Sequence, residues 1–136
     1  MTKIHYSKAR LKINLRVAIV LISLGIILVS LSLIIGNWKN ISLDAIGFGQ
    51  IGGGLFMLLV YYFEKNKQYL SLNKGELIKN TLFPKKIKLK EIVSIKEFAG
   101  DLKLISAKNE FVIDTQIIET NSLLKLKGEL ENYNLK

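Results

Sequence analysis

The chain has 136 residues, 49% of them hydrophobic, and its 20 lysines and arginines outnumber 11 acids for a net charge of +9. It contains no cysteine and one histidine, His5. That composition excludes a disulfide framework, thiolate metal centres and catalysis by a Cys–His pair.

Residues 1–16 carry Lys3, Lys8, Arg10, Lys12 and Arg16 and no acid. Such a segment is expected to be a solvated basic flank, or a short interfacial helix on anionic lipid, where each cation contributes on the order of 1 kcal/mol. Either way, Arg10, Lys12 and Arg16 are candidate headgroup contacts. Cleavage as a signal peptide is not expected: the apolar run that follows exceeds the usual ~7–15 residue core, and no A-x-A-like site follows it.

Residues 17–35 and 45–63 are two uncharged apolar runs. At about 1.5 Å per residue each is long enough, as a helix, to cross a hydrocarbon core ~30 Å thick. The connection, residues 36–44, is short, so two antiparallel transmembrane helices are expected. Lys/Arg excess marks the cytoplasmic side, and the excess lies before residue 17 and after residue 63. Both termini are therefore expected in the cytoplasm of a multi-pass protein of a bacterial inner membrane. Trp38 and Tyr61-Tyr62-Phe63 sit where interfacial aromatic residues belong.

Within the spans the small residues suggest packing faces. Ser32 and Gly36 form one small-xxx-small pair, and Gly49 and Gly53 form another, against the first helix or a second copy of the chain. Gln50 is the lone amide in either span and suits an interhelical hydrogen bond. Gly47-x-Gly49-x-x-Gly52 matches a dinucleotide fingerprint in spacing, but it lies inside an apolar run rather than in a βαβ unit, so no cofactor is expected.

After residue 63 the period changes. Tyr69-Leu70-Ser71-Leu72 alternates, Asn73-Lys74-Gly75 reads as a turn, and a second strand runs from Glu76 to about Leu82. Pro84 breaks the pattern. Ile87-Lys88-Leu89-Lys90 alternates as a half-buried strand. Strands follow at residues 92–98, 102–107 and 111–114, separated by Ala99-Gly100-Asp101 and Lys108-Asn109-Glu110. Leu123, Leu124, Leu126, Leu130 and Tyr133 then space as one face of a helix over about 120–133, capped by Thr120 or Asn121. The expected class is membrane α + β: a two-helix hairpin (17–63), then a cytoplasmic antiparallel sheet or partial barrel (68–136) closed by a C-terminal helix.

Leu70-Ser71-Leu72-Asn73-Lys74-Gly75-Glu76-Leu77, the run from Pro84-Lys85-Lys86-Ile87 to Ile95, and the pair Leu102-Lys103-Leu104 and Phe111-Val112-Ile113 together resemble the bacterial pleckstrin-homology-like (PH-like) domains. The resemblance covers roughly residues 68–133 and shows about six strands of the family's seven. It implies a membrane-proximal interaction module. No arginine occurs after Arg16, so the lipid-phosphate signature of the eukaryotic relatives is missing and phosphoinositide binding is not implied.

Lys85, Lys86, Lys88 and Lys90 are the densest later charge. Alternation places the last three on one strand face, either solvated or in contact with anionic headgroups. No aromatic residues interleave with them, so a nucleic-acid partner is not expected. The acids suit surface positions rather than a calcium loop, and no nucleophile motif is present. A non-enzyme is expected, without metal, cofactor or small-molecule substrate. It would bind or scaffold a membrane protein partner, a second copy of itself, or anionic lipid. Two alternatives use the same residues: an immunity or accessory protein for a membrane-acting toxin, and a small channel or transporter subunit lined by Gln50 and the glycines.

Overall fold

The structure is a computed structural model that describes residues 1–133. Its elements run β1 (Thr2–Ile4), α1 (Lys8–Ile35), α2 (Leu43–Asn66), β2 (Leu70–Asn73), β3 (Glu76–Lys79), β4 (Lys85–Lys88), β5 (Ile92–Phe98), β6 (Asp101–Ser106), β7 (Glu110–Asp114) and α3 (Thr120–Asn132). They form two units. One is the helix pair over residues 11–63, and the other joins residues 1–10 to everything from Glu64 onward.

The β unit holds two antiparallel sheets, in strand orders β1-β2-β3-β4 and β5-β6-β7. The unexpected strand is β1. Residues 1–16 are neither a free flank nor a separate interfacial helix. Thr2, Lys3 and Ile4 pair with Leu72, Ser71 and Leu70 of β2, and α1 starts at Lys8. The physical reason is alternation: Ile4 and Tyr6 point into the core, at 0% and 7% exposure, while Lys3 and His5 stay exposed. An alternating segment beside an open sheet edge gains a ladder and apolar burial together. The domain is thus assembled from chain on both sides of the apolar hairpin.

The same segment also holds the far end of the domain. Tyr6 bridges Ile118, the Ser7 N–H donates to the Ile117 carbonyl at 2.7 Å, and the Glu119 N–H donates to the His5 carbonyl at 3.0 Å. The His5 N–H donates to Ser122 Oγ at 3.2 Å. α3 therefore starts against the N-terminal segment. Its cap position is Glu119 rather than Thr120 or Asn121, and no side chain caps it. Its buried line is Ser122, Leu126 and Leu130, four residues apart, whereas Leu124 is 66% exposed. Ser7 caps α1, its Oγ accepting from the Arg10 N–H at 3.2 Å, as an N-cap serine does for the third helical residue.

Turn chemistry sets the hairpins. Lys74 and Gly75 join β2 to β3 with both φ angles positive, the two-residue turn that matches strand twist. Ala99-Gly100 repeats it between β5 and β6. β3 is shorter than its apolar run because a Thr81–Phe83 turn precedes Pro84; the Thr81 hydroxyl donates to the Phe83 carbonyl at 2.8 Å. β4 is correspondingly shifted to Lys85–Lys88, and Leu89–Glu91 form a single 3-10 turn that buries Leu89. The most deeply buried core residues include Leu70, Leu77, Leu104, Ile113 and Leu126, each at most 1% exposed. Tyr69 ties the sheets together. Its ring lies 5.2 Å from that of Tyr6, and its hydroxyl accepts from the Asp114 N–H of β7 at 3.1 Å.

In the other unit, α1 and α2 are each long and apolar enough to cross a membrane. Gly36 ends α1 in the left-handed conformation, at φ +72, and its N–H donates to the Ser32 carbonyl at 2.9 Å. Trp38 and Ile41 then exchange both backbone hydrogen bonds around Lys39-Asn40, so the connection is a tight turn.

Candidate interaction surfaces

Three groups of residues are candidates for interaction: the helix-pairing face, the polar cluster around Arg10 and Glu64, and the lysine strand.

The helices meet through small residues spaced by seven. A Cβ added to Gly25 would lie 2.6 Å from the Gly47 carbonyl oxygen, and one added to Gly47 would lie 2.8 Å from the Gly25 oxygen. One turn pair along, a Cβ on Gly54 would lie 2.9 Å from the Ala18 oxygen. Backbone thus faces backbone, which gives van der Waals contact that side chains would prevent. The glycines expected to pack, Gly49 and Gly53, lie off this seam. Gly49 has no atom within 4 Å of an added Cβ, and Gly53 has only a Leu21 methyl at 3.9 Å. Gly36 also has open space and serves as a helix cap, so Ser32–Gly36 ends the helix rather than packing it. Gln50 is half-buried, and its Oε1 has no hydrogen-bond partner among the described residues. The 18/25 and 47/54 spacing was readable in the sequence but is masked by the more conspicuous Gly49-x-x-x-Gly53.

Arg10 Nη2 lies 3.4 Å from Glu64 Oε1, with the Glu64 side chain only 9% exposed. Arg10 is therefore engaged with a buried carboxylate, while 40% of its own side chain stays exposed. Lys12 and Arg16 remain exposed on α1. Burial, then the Glu64 charge, pushes the Tyr6 hydroxyl up to about 12, with Tyr69 adding and Arg10 opposing. Burial also pushes Tyr69 up. Both phenols stay neutral and available for hydrogen bonding through the physiological range.

Lys85, Lys86 and Lys88 lie exposed on β4, around a buried Ile87. Lys90 leaves the strand for the 3-10 turn, so the expected face of Lys86, Lys88 and Lys90 reduces to the first two. The depression beside β4 measures about 410 Å³ and is lined by both signs of charge, including Glu76, Glu91 and Glu110. Among the described residues, Lys88 pairs with Glu91 at 4.0 Å and Glu110 with Lys103 at 3.4 Å, while Lys85 and Lys86 have no carboxylate partner. Among the described residues no group of three or more His, Cys, Asp or Glu could hold a metal ion. No family model, no curated protein and no solved structure matches the chain.

Proposed function

We propose that this protein is a non-catalytic interaction module anchored in the bacterial inner membrane. Its β domain stands in the cytoplasm and binds or scaffolds a membrane protein partner or anionic lipid. The observation that carries the reading is the pairing of β1 with β2 across the apolar hairpin. A domain built from both flanks of the hairpin needs both flanks on one side of the bilayer, which two spans provide. The basic residues at those flanks favour the cytoplasmic side. Four strands in one sheet, three in the other and a C-terminal helix support the PH-like resemblance, with β1 supplying the strand expected to be absent.

The test is purification in native-membrane nanodiscs. A second membrane polypeptide at fixed ratio, or anionic lipid enriched over the bulk membrane, is the expected result. A lone chain in lipid of bulk composition would overturn the reading. The chain has no cysteine, so single cysteines report sidedness in the same membranes. Asn40→Cys should react only from the periplasm and Lys108→Cys only from the cytoplasm; labelling of both from one side would reject the two-span topology.

A further inference from the structure

The sheet edges are β1 and β4 in one sheet and β5 and β7 in the other; β4 and β7 border the same depression, and hydrogen-bond parity fixes which backbone groups those two edges present. The Leu89 N–H donates to the Gly75 carbonyl at 2.8 Å, so Gly75 and Leu89 are a hydrogen-bonded pair. Antiparallel alternation makes Leu77/Ile87 and Lys79/Lys85 the next such pairs. Lys86 and Lys88 therefore turn their N–H and C=O groups away from β3, to the open edge. On β7, the Ser106 N–H donates to the Asn109 carbonyl at 2.9 Å, so Glu110, Val112 and Asp114 face outward by the same rule. Two of its outward groups are taken. Tyr69 takes the Asp114 N–H, and Lys79 Nζ donates to the Val112 carbonyl at 3.0 Å. Among the described residues no side chain hydrogen-bonds the outward backbone of Lys86 or Lys88. The depression of about 410 Å³ opens between them and the start of β7.

We propose that β4 is a docking edge for an extended segment of a partner protein whose residues alternate acidic and apolar. A strand added beside β4 would exchange backbone hydrogen bonds with Lys86 and Lys88, the mode of β-strand addition. On one face its side chains would neighbour Lys86, which has no carboxylate partner among the described residues, and Lys88, which pairs with Glu91 and stands opposite Glu76. On the other they would continue the apolar side begun by Ile87 and Phe111, both lining the depression. The lysines also discriminate against a second copy. Two β4 strands paired with each other would set lysine against lysine, and like charges directly opposite are destabilising. Leu82 and Phe83, 69% and 84% exposed immediately before β4, add apolar surface at the entry to the strand.

This inference rests on the β domain being the partner-binding part of the molecule. The test uses the full chain in phosphatidylcholine nanodiscs and a blocked heptapeptide alternating glutamate and valine, with binding followed by calorimetry. Its comparators are the same peptide N-methylated on alternate residues and a lysine–valine peptide. The glutamate peptide should bind at least tenfold more tightly than either. Lys86→Pro removes the outward N–H while leaving the ladder to β3 intact, as edge positions allow, and should abolish binding at an unchanged thermal midpoint. Lys86→Glu with Lys88→Glu should reverse the charge preference, and it keeps the test decisive if the proline variant fails to fold. Equal binding of the N-methylated peptide would mean plain polyanion attraction and would overturn the proposal. So would no binding, or capture of phosphatidylglycerol vesicles through the same lysines with no peptide binding. A native partner retained by Lys86→Pro would overturn the β4 edge and leave the proposed function standing.

Discussion

Removing residues 1–6 should unfold the β domain. The deletion takes away the three β1–β2 pairs, the fully buried Ile4 and the 7% exposed Tyr6, and the backbone bonds that start α3. Truncating a buried isoleucine to alanine costs about 2–5 kcal/mol. Small domains hold only about 5–15 kcal/mol in total. Ile4→Ala should therefore remove a large share of the stability, and Ile4→Asp, which buries an unpaired charge, should abolish folding. Lys3→Asp is the control: its side chain is exposed, and its cost should stay within about 0.5 kcal/mol. Hydrogen exchange of the β2 and β3 amides in nanodiscs reads the outcome. Full protection in the deletion would mean that the N-terminal segment is only a tail.

Gly25→Ala should break the helix pair, whereas Gly49→Ala and Gly52→Ala should not. A single methyl at Gly25 would stand 2.6 Å from the Gly47 carbonyl oxygen and from Ile51. Backbone cannot rotate out of the way, so the helices must separate, at about 1–3 kcal/mol or more. Gly25→Leu and Gly47→Leu should cost more still. Gly49 and Gly52 have open space, and replacing helical glycine with alanine there should stabilise by up to ~1 kcal/mol. Unfolding of the chain in mixed micelles of rising SDS fraction ranks the variants. If Gly49→Ala proved as damaging as Gly25→Ala, the pairing face of α2 would be on the other side.

The elements that repeat a period over several residues were legible. The two apolar runs, the alternation from Leu70 to Leu72, and the Lys74-Gly75 and Ala99-Gly100 turns each state their structure locally. What was not legible depended on distant partners. β1 is three residues long, too short to register as a period, and its sheet partner is nearly seventy residues away. The Leu89–Glu91 turn reads as strand because Ile87 and Leu89 alternate. It is not strand because the Leu89 carbonyl accepts from the Ile92 N–H, closing a 3-10 turn that carries the chain into β5. Arg10 looked like one more cation in a basic flank until α2 brought Glu64 beside it. The glycine seam was open to a sequence reading, but only to one that matched the seven-residue spacing in both helices at once.

The pairing of β1 with β2 across the hairpin is tested most directly by a disulfide between Lys3→Cys and Ser71→Cys, which face each other in the ladder. Antiparallel neighbours of this kind have Cα atoms within bridging distance, and the chain has no other cysteine. A protease site placed at Lys39-Asn40 would divide the chain between the helices. After mild oxidation in membranes and cleavage, the two fragments should migrate together until a reductant is added. Fragments that separate without reductant, in a protein whose helices still insert, would contradict a domain assembled from both sides of the apolar hairpin.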